Sequence, residues 1–396
     1  MLLVFSDDWG RHPSSCQHLV RHLLPRHRVV WVNTIGMRAP ALNLATAQRG
    51  WEKLRQWSMP RATAETLSNP QVLSPRMWPW FRRPHDRWLN QRLLRRALEP
   101  LIARATEPVY AITTVPIVAD LVGTINVERW IYYCVDDFSV WPGLDHAAIA
   151  KMERKLLDEC DEIIGVSETL IEHAAHCGRQ AQLLSHGVDL PFWQSSSTSP
   201  LTERLAGFER PFIVFWGVID QRLNATWIEA LSKSMARGTI LLIGPLDNPA
   251  PQLLRTPRVE HLPALDFRLL PEIGQAANVL VMPYDDLPVT RAMQPLKLKE
   301  YLATGKPVVV SNLPAIHSWR DCLDCASSAT EFAELVNARV DGEVPIEQRL
   351  ARQRLQSESW QEKATHFESW VLKSRPDEEQ SCTVASASDR LPAGAY

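Results

Sequence analysis

The sequence predicts an α/β protein built from two Rossmann-like domains that face each other across a cleft. Short apolar runs alternate with amphipathic stretches along the whole chain, and this series restarts past the middle. Alternation of this kind is typical of helices that pack on parallel sheets. A chain of 396 residues also exceeds what a single hydrophobic core usually organises. We therefore expect two cores with a cleft between them.

The apolar runs are interpreted as strands and the amphipathic stretches as helices. The first series has predicted strands at residues 2–5, 28–33, 109–113, 130–135, 162–166 and 182–184, and helices at 16–24, 145–160 and 168–176. The second series has predicted strands at residues 212–216, 239–243, 259–262, 279–283 and 307–311, and helices at 225–236, 267–276 and 296–304.

The boundary between the two domains is predicted at the end of the first series. There, His186-Gly-Val-Asp-Leu-Pro-Phe-Trp193 precedes a polar run rich in serine, threonine and proline, which is typical of a linker. One domain is therefore expected over residues 1–188 and the other over 189–345. A long helical pattern with an apolar stripe follows at 346–373. Residues 374–396 are mostly small and polar, and they predict a disordered tail.

The composition is that of an ordinary globular protein. The hydrophobic fraction is 45%, the charged fraction is 22%, and the net charge is -2, which argues against binding nucleic acid with the whole surface. The chain begins without the basic region of a signal peptide, and no apolar run reaches the roughly 18 residues of a membrane span. A cytoplasmic protein is therefore expected.

The cysteines give no sign of a disulfide framework or a metal site. Seven cysteines are scattered along the chain, and this odd number fits a reducing compartment. Cys322-Leu-Asp-Cys325 is the one CxxC pair, and it lacks the second pair of ligands that a zinc site needs. We predict neither a metal nor a resident cofactor.

Residues 51–96 interrupt the alternation. They hold ten Lys or Arg residues against three acidic ones, together with several tryptophans. Cations interleaved with tryptophan suit an anionic membrane surface, where indoles lie among the lipid headgroups. The alternative is a set of helices whose tryptophans pack on the first domain. On the first interpretation the protein is peripheral, on the inner face of the plasma membrane.

The most informative stretch is Gln294-Pro-Leu-Lys-Leu-Lys-Glu-Tyr-Leu-Ala-Thr-Gly-Lys-Pro-Val-Val309. Pro295 begins a predicted helix, whose free N–H groups and positive dipole end attract an anion. Lys297, in the first turn, opposes the dipole unless it faces an anion. Glu300 lies on the same face of the helix as Lys297. The pattern predicts a site for phosphates, with Glu300 near an attached ribose.

This stretch resembles the donor-site helix of retaining GT-B glycosyltransferases of the group-1 family, in the subgroup with a Pro-Leu-Lys-x-x-Glu-Tyr-x-Ala-x-Gly-Lys-Pro-Val-Val motif. Weaker similarities follow the family's order over most of the chain. They are Tyr133-Cys-Val-Asp-Asp137, Cys160-Asp-Glu-Ile-Ile-Gly-Val-Ser-Glu168, His186-Gly-Val-Asp189, Phe215-Trp-Gly-Val-Ile-Asp-Gln-Arg222 and Ser359-Trp360.

The resemblance implies the GT-B fold and a glycosyltransferase activity. The sugar would pass from a nucleotide-diphosphate donor, such as a UDP- or GDP-sugar, to a glycan or lipid-linked acceptor, in bacterial polysaccharide biosynthesis. The N-terminal domain would bind the acceptor, and the C-terminal domain the donor. Similar family members end in a helix that crosses back to the first domain, so the pattern at 346–373 is expected to do the same.

The resemblance also assigns roles to residues around the predicted helix. Glu300 matches the second glutamate of the family's E-x7-E motif, which binds the donor ribose. The first glutamate, which binds the sugar, is replaced by Ala292. Four residues of the same loop are candidates to replace it: Asp285, Asp286, Arg291 and Gln294. Pro295, Leu296 and Lys297 match the segment that meets the diphosphate.

Two further cations near the diphosphate are implied by the family, in the loop after the first strand of the second domain. Counting from Gly217, which belongs to this candidate site, the family's lysine falls on Arg222 and its arginine on Val218. Half of the pair is therefore missing, and Lys297 is expected to supply the second charge. Arg222 and Lys297 are the candidate catalytic cations.

The first domain has two candidate segments at the carboxyl ends of strands, where open α/β sheets bind ligands. One holds Gly10, where family members have a glycine-rich loop. The other holds Asp136 and Asp137, and Asp137 is a candidate catalytic residue. The alternative for this aspartate pair is the metal site of GT-A glycosyltransferases, in which carboxylates hold a divalent cation against the diphosphate.

The resemblance implies catalysis without a metal and with retention at the anomeric carbon. Helix dipole and cations would stabilise the leaving diphosphate, and the leaving phosphate would accept the proton of the acceptor. Two alternatives use the same fold. One is a nucleotide-sugar epimerase, and the other is a binding protein without catalysis, suggested by Ala292 and Val218.

Overall fold

The computed structural model describes residues 1–10, 14–37, 69–141, 143–195 and 205–373. These residues form two parallel sheets with helices packed around them, which confirms the predicted α/β class with two Rossmann-like domains. Parts of three sequence predictions lie outside the described residues: residues 51–68 of the basic segment, most of the linker after Trp193, and the tail at 374–396.

The first sheet comes from the N-terminal half. Its strands are β1 (Leu2–Ser6), β2 (Val29–Asn33), β3 (Gln71–Leu73), β4 (Tyr110–Thr113), β5 (Arg129–Cys134), β6 (Glu162–Gly165) and β7 (Gln182–Leu183). Its helices are α1 (Ser15–Leu23), α2 (Pro84–Ile102), α3 (His146–Glu159) and α4 (Glu168–His176). The strands run parallel in the order β3-β2-β1-β4-β5-β6-β7.

The second sheet repeats this plan. The strands that follow are β8 (Phe212–Trp216), β9 (Ile219–Asp220), β10 (Thr239–Ile243), β11 (Leu246–Asp247), β12 (Val259–Leu262), β13 (Val279–Met282), β14 (Val308–Ser311) and β15 (Asp324–Ala326). Six run parallel in the order β12-β10-β8-β13-β14-β15, while β9 pairs with β11. The helices are α5 (Leu190–Gln194), α6 (Ala225–Ser234), α7 (Leu270–Ala276), α8 (Pro288–Ala292), α9 (Leu296–Ala303), α10 (Ala329–Val340), α11 (Ile346–Ala351) and α12 (Trp360–Val371).

The central strands are apolar throughout, which explains why helices cover both faces of each sheet. Every residue of β1, β8, β10, β13 and β14 is buried. Parallel strands covered by helices on both faces read as continuous apolar runs, which is why the sequence reveals them. Polar N-caps start the covering helices: Ser14 accepts a hydrogen bond from the backbone N–H of Gln17, and Asn224 from that of Trp227.

The strand order places a crevice at the carboxyl edge of each sheet. β1 lies between β2 and β4, and β8 lies between β10 and β13. Chain connections leave such neighbouring strands in opposite directions, which opens a crevice suited to a ligand. In the second sheet this crevice is bordered by Gly217 after β8 and Tyr284 after β13.

Some short strands are not predicted from the sequence. β3 and β15 each have three residues and lie at the edges of their sheets. Three residues carry too little periodicity to be separated from a loop. The Cys322-Leu-Asp-Cys325 pair brackets the start of β15, and the thiols of Cys322 and Cys325 are both free.

The single helix expected over 346–373 is three elements in the structure. α11 ends at Ala351, a 3-10 helix covers Arg352–Ser357, and α12 begins at Trp360. The Ser359 hydroxyl caps α12 by accepting a hydrogen bond from the N–H of Glu362 at 3.1 Å. A serine N-cap is a start signal that the continuous apolar pattern conceals.

The break in this helix returns the chain to the first domain. Trp360, Ala364, Phe367 and Val371 of α12 are buried in the same hydrophobic core as β1 and α1, and Trp370 packs against that core. The indole of Trp360 stacks on the ring of His18 in α1, with centroids 4.7 Å apart. Apolar burial therefore holds the last helix on the first domain.

The chain passes between the two cores twice, and the two crossings are joined. The N–H of Val188 donates to the carbonyl of Glu358 at 2.8 Å, and Val188 also forms a parallel bridge with Ser359. A Cβ at Gly187 would lie 2.7 Å from the indole of Trp360, so glycine is required there. We call the two paired segments, 185–188 and 358–360, the hinge.

No helix among the described residues has the length and apolar character needed to cross a bilayer.

We expect Phe367→Ala to destabilise the protein strongly. The ring is fully buried and makes an edge contact with Tyr133, with centroids 5.3 Å apart. Truncating a buried phenylalanine costs about 3–5 kcal/mol of unfolding free energy. Chemical denaturation measures this loss, with the exposed Thr365→Ala on the same helix as the matched control. Equal stability of both variants would show that the packing of α12 on the core of the first domain does not stabilise the protein.

Candidate functional site

The candidate site lies in the crevice of the second sheet, where the loop after β8 meets the start of α9. Gly217 follows β8 with φ +140°, a backbone conformation that favours glycine. A Cβ at this position would lie 2.3 Å from the Nζ of Lys297. Because Gly217 has no side chain, the Lys297 amine can lie beside the loop.

Lys297 is held by aromatic side chains in the first turn of α9. Its Nζ donates a hydrogen bond to the hydroxyl of Tyr284 at 2.8 Å. The same atom lies 4.8 Å from the ring centroid of Phe215 and 5.4 Å from that of Tyr284. These contacts fix a cation next to free N–H groups at a helix start, so the amine and the helix dipole add to a positive potential there.

Glu300 lies one turn further along α9 and is the acidic group of the site. Its Oε2 accepts a hydrogen bond from the indole N–H of Trp216 at 3.4 Å. Burial raises the pKa of Glu300 to about 7, although the indole and Lys297 oppose this shift. The carboxyl group therefore titrates near neutral pH.

The indole that meets Glu300 is itself fixed by packing. Trp216 stacks on Trp193, with centroids 5.5 Å apart and an interplanar angle of 4°. It also makes an edge contact with the ring of Tyr301 at 4.3 Å, and its backbone N–H donates to the Tyr301 hydroxyl at 3.0 Å. This packing orients the N–H toward Glu300.

Arg222 approaches the crevice from the loop after β9. Asp220 holds its guanidinium: Nε donates to the carboxylate at 2.9 and 3.0 Å, and Nη2 lies 2.7 Å from the same carboxylate. The guanidinium carbon is 5.9 Å from the Tyr284 ring centroid. Arg222 and Lys297 therefore both contact Tyr284, since Lys297 also donates to its hydroxyl.

The first domain meets this site through the loop after β5. Burial raises the pKa of Asp136 to about 7, opposed mainly by the charge of Arg222. Trp141, in the same loop, has its ring centroid 5.3 Å from the guanidinium carbon of Arg222. Asp137 instead closes its own turn, because its Oδ1 accepts hydrogen bonds from the N–H and hydroxyl of Ser139 at 3.0 and 2.5 Å. Asp136 is thus the aspartate of the pair that interacts with Arg222.

The remaining predicted residues have different surroundings. Pro295 is the N-cap residue of α9 rather than its first helical residue, and Leu296 packs against the core of the first domain. The carbonyl of Gln294 lies 3.0 Å from the Nε2 of His186 in the hinge. Arg291 is exposed and forms an ion pair with Asp286.

Two predicted positions carry no polar contact to the crevice. Ala292, at the place of the family's first glutamate, is buried at 6% exposure and ends α8. Gly10, with φ +78°, turns the chain after β1, and its N–H donates to the Oε1 of Gln17 at 3.2 Å. The role predicted for Gly10 in ligand binding stays a prediction.

A buried ionic cluster behind α9 is missed by the sequence analysis. The Nζ of Lys299, whose side chain is 2% exposed, lies 2.5 Å from the carboxylate of Glu358, and Lys363 lies 2.7 Å from it. Lys299 also donates to the carbonyl of His186 and to the Ser185 hydroxyl. Burial lowers the pKa of Lys299 to about 8. The sequence does contain a clue to this cluster. Lys299 is two residues from Lys297, which places it on the opposite face of the helix.

Across the described part of the chain, no group of three or more His, Cys, Asp or Glu side chains is placed to hold a metal ion. The aspartate pair at Asp136 and Asp137 is therefore not part of such a group.

Comparison with solved structures identifies the fold. Sucrose-phosphate synthase from Thermosynechococcus elongatus is 15% identical, with a TM-score of 0.68 over 98% of this chain and 99% of that one. Trehalose 6-phosphate synthase from Burkholderia multivorans is 13% identical, with a TM-score of 0.62 over 98% and 99%. HepE from Anabaena, in complex with UDP and glucose, is 13% identical, with a TM-score of 0.64 over 98% and 99%.

The chain has the GT-B fold. Two facing Rossmann-like domains and a last helix on the first domain account for a likeness that extends over nearly the whole chain. In sequence, TuaH of Bacillus subtilis (strain 168), named as a teichuronic acid biosynthesis glycosyltransferase, is 29% identical over 175 residues. That match covers 42% of this chain and 44% of the relative, so it spans less than half the length of either. No protein-family model matches the chain.

The raised pKa of Glu300 in the GT-B cleft predicts a dependence of stability on pH. The folded state holds this proton more tightly than the unfolded chain, where the pKa is near 4.5. The resulting stabilisation is complete below pH 4.5 and is lost as pH rises through about 7. Glu300→Gln should therefore gain stability relative to the wild type between pH 5 and pH 8.

Chemical denaturation at four pH values between these limits measures the effect. The control is Glu334→Gln at an exposed position of α10, which reports what the same substitution does at the surface. A difference for Glu300→Gln that does not change with pH would contradict the raised pKa of Glu300.

Proposed function

We propose that this protein is a glycosyltransferase that moves a sugar from a nucleotide-diphosphate donor to a glycan or lipid-linked acceptor. The observation that carries the proposal is the convergence of Lys297, Arg222 and Glu300 on the crevice at the start of α9. Two cations and a helix N-terminus fit a diphosphate, and a carboxylate on the adjoining turn fits the hydroxyls of a ribose.

The donor class is supported by proteins with the same fold. HepE has been solved with UDP and glucose and with UDP-glucose. We infer a UDP- or GDP-sugar for this chain, with its phosphates at Leu296, Lys297 and Arg222 and its ribose at Glu300. Pro295, Gln294, Arg291, Gly217 and Gly10 complete the proposed surroundings of the donor.

The proposed reaction proceeds without a metal and with retention, as in the resembled family. The bond between the anomeric carbon and the leaving phosphate breaks, and Lys297 and Arg222 stabilise the charge that develops on the diphosphate. The acceptor oxygen bonds the same face of the anomeric carbon, and its proton passes to the leaving phosphate. Neither Asp136 nor Asp137 acts as a nucleophile in this route.

The partial similarity to TuaH supports a role in bacterial polysaccharide biosynthesis. Teichuronic acid biosynthesis is the pathway in the name of that relative, and for this chain we propose only the broader class of a glycan or lipid-linked acceptor.

A second candidate is a nucleotide-sugar epimerase, and it is favoured by one observation. Asp136 has a pKa raised by burial to about 7, which suits proton transfer at neutral pH. An epimerase would change the donor without any acceptor, whereas a transferase needs one.

We expect release of nucleoside diphosphate from a UDP- or GDP-sugar when lipid-linked glycan acceptors are supplied, and we expect it to survive EDTA. Cations of the protein do the work that a divalent ion does elsewhere. Glu300→Ala should reduce turnover, while the exposed Glu334→Ala should retain it.

The controls separate the remaining possibilities. Loss of activity in EDTA with rescue by Mn²⁺ would favour a metal at the aspartate pair. Conversion of the donor without an acceptor would identify an epimerase. A donor that binds without turnover under any condition would indicate a binding protein.

We also propose that the protein attaches peripherally to the inner face of the plasma membrane. Trp78, Trp80 and Trp88 are 39%, 43% and 57% exposed at the start of α2. Arg92 lies over the Trp88 ring at 5.6 Å, and Arg82 and Arg83 are exposed nearby. Exposed indoles beside cations suit an anionic lipid surface.

Co-sedimentation with liposomes of graded anionic content checks the membrane proposal. Binding should rise with anionic lipid and fall with salt, because each basic residue contributes about 1 kcal/mol that salt screens. Charge reversal of Arg83 and Arg92 to Glu should weaken it. Arg82 and Arg87 are left unchanged because they pair with Asp145 and Asp120, at 3.1 and 3.5 Å. Liposome binding that changes neither with salt nor in the charge-reversed variants would refute the proposal.

A further inference from the structure

Arg222 is contacted by both domains, although it belongs to the second. Asp220 and Tyr284 approach it from its own domain. Trp141 approaches from the first domain, with its ring centroid 5.3 Å from the guanidinium carbon, and Asp136 of the same loop interacts with its charge.

Among the described residues, the hydrogen bonds of Arg222 leave one side of the guanidinium without a strong acceptor. Nε and Nη2 donate to Asp220, whereas Nη1 has the Met293 sulfur at 3.9 Å, which is a weak acceptor. A phosphate oxygen could take the Nη1 donors without displacing Asp220. The direction of Nη1 then depends on the plane in which the guanidinium is held.

An aromatic ring stacked on the guanidinium can hold its plane without accepting any of its hydrogen bonds. Cation–π attraction acts on the face of the guanidinium, so the N–H groups at its edge stay available. Trp141 supplies such a face from the opposite domain, and indole is the strongest aromatic partner for a cation.

We propose that Trp141 is a positioning residue that orients Arg222 toward the donor diphosphate, so that the first domain completes the donor site. This inference rests on the proposed function, because it takes a nucleoside diphosphate as the ligand of Arg222. It gives Trp141 a role that neither the sequence motif nor the fold assigns.

The test is a double-mutant cycle on the binding of UDP and GDP, measured by calorimetry with the full chain. Trp141→Leu should weaken binding by about 2- to 30-fold, the range of a cation–π contact. In an Arg222→Gln background the same change should alter affinity less than twofold, because no guanidinium is left to orient. Trp141→Phe keeps an aromatic face and should restore most of the affinity.

Trp88→Leu is the matched control, since Trp88 is an exposed tryptophan of the same domain on α2. It should bind like the wild type. Should Trp141→Leu fail to fold, the cycle is run with Trp141→Phe, whose smaller loss should also vanish without Arg222.

Equal losses from the Trp141 change in both backgrounds would overturn the inference and leave the proposed function standing. An unchanged affinity of Trp141→Leu would do the same. A wild-type chain that binds neither nucleotide would overturn the proposed function, and this inference with it.

Discussion

The arrangement of this protein depends on one unfavourable electrostatic contact that a ligand can relieve. Lys297 carries its charge in the first turn of α9, where the free N–H groups and the helix dipole are also positive. Aromatic rings and a tyrosine hydroxyl hold the amine there, and Gly217 makes room for it. An anion at this point would gain from the amine, the N–H groups and Arg222 together, which is why the site suits a diphosphate.

The rest of the crevice is organised so that this positive site stays accessible. Arg222 is neutralised in part by Asp220, yet it retains donors on its other side. Glu300 is the neighbouring acid, and burial favours its protonated form below about pH 7. A neutral carboxyl group reduces the repulsion of an incoming phosphate, whereas the ionised group accepts the hydroxyls of a ribose more strongly. Because the pKa of Glu300 is near 7, both the neutral and the ionised form of its carboxyl group are populated near neutral pH.

The sequence predicts the parts of the fold that are local. Continuous apolar runs mark β1 and β8, and proline and lysine at the start of α9 mark an anion site, because each feature is set by residues close together in the chain. Contacts between distant segments are not visible in this way. The pairing of Lys299 with Glu358 joins residues 59 positions apart, and the meeting of Trp141 with Arg222 joins two domains. Asp136 rather than Asp137 interacts with Arg222, a choice that depends on how the loop after β5 turns.

The position of α9 connects the proposed donor site to the hinge. Lys297 faces the crevice, and Lys299, two residues later, points to the opposite side of the helix and binds Glu358 and the His186 carbonyl in the hinge. Leu296, at the helix start, packs on the core of the first domain. Because Lys299 is buried and its charge is balanced by Glu358, loosening that contact would leave a buried charge without its partner. The contacts of α9 in the crevice and in the hinge are therefore made in one arrangement of the two domains, in which Trp141 also contacts Arg222.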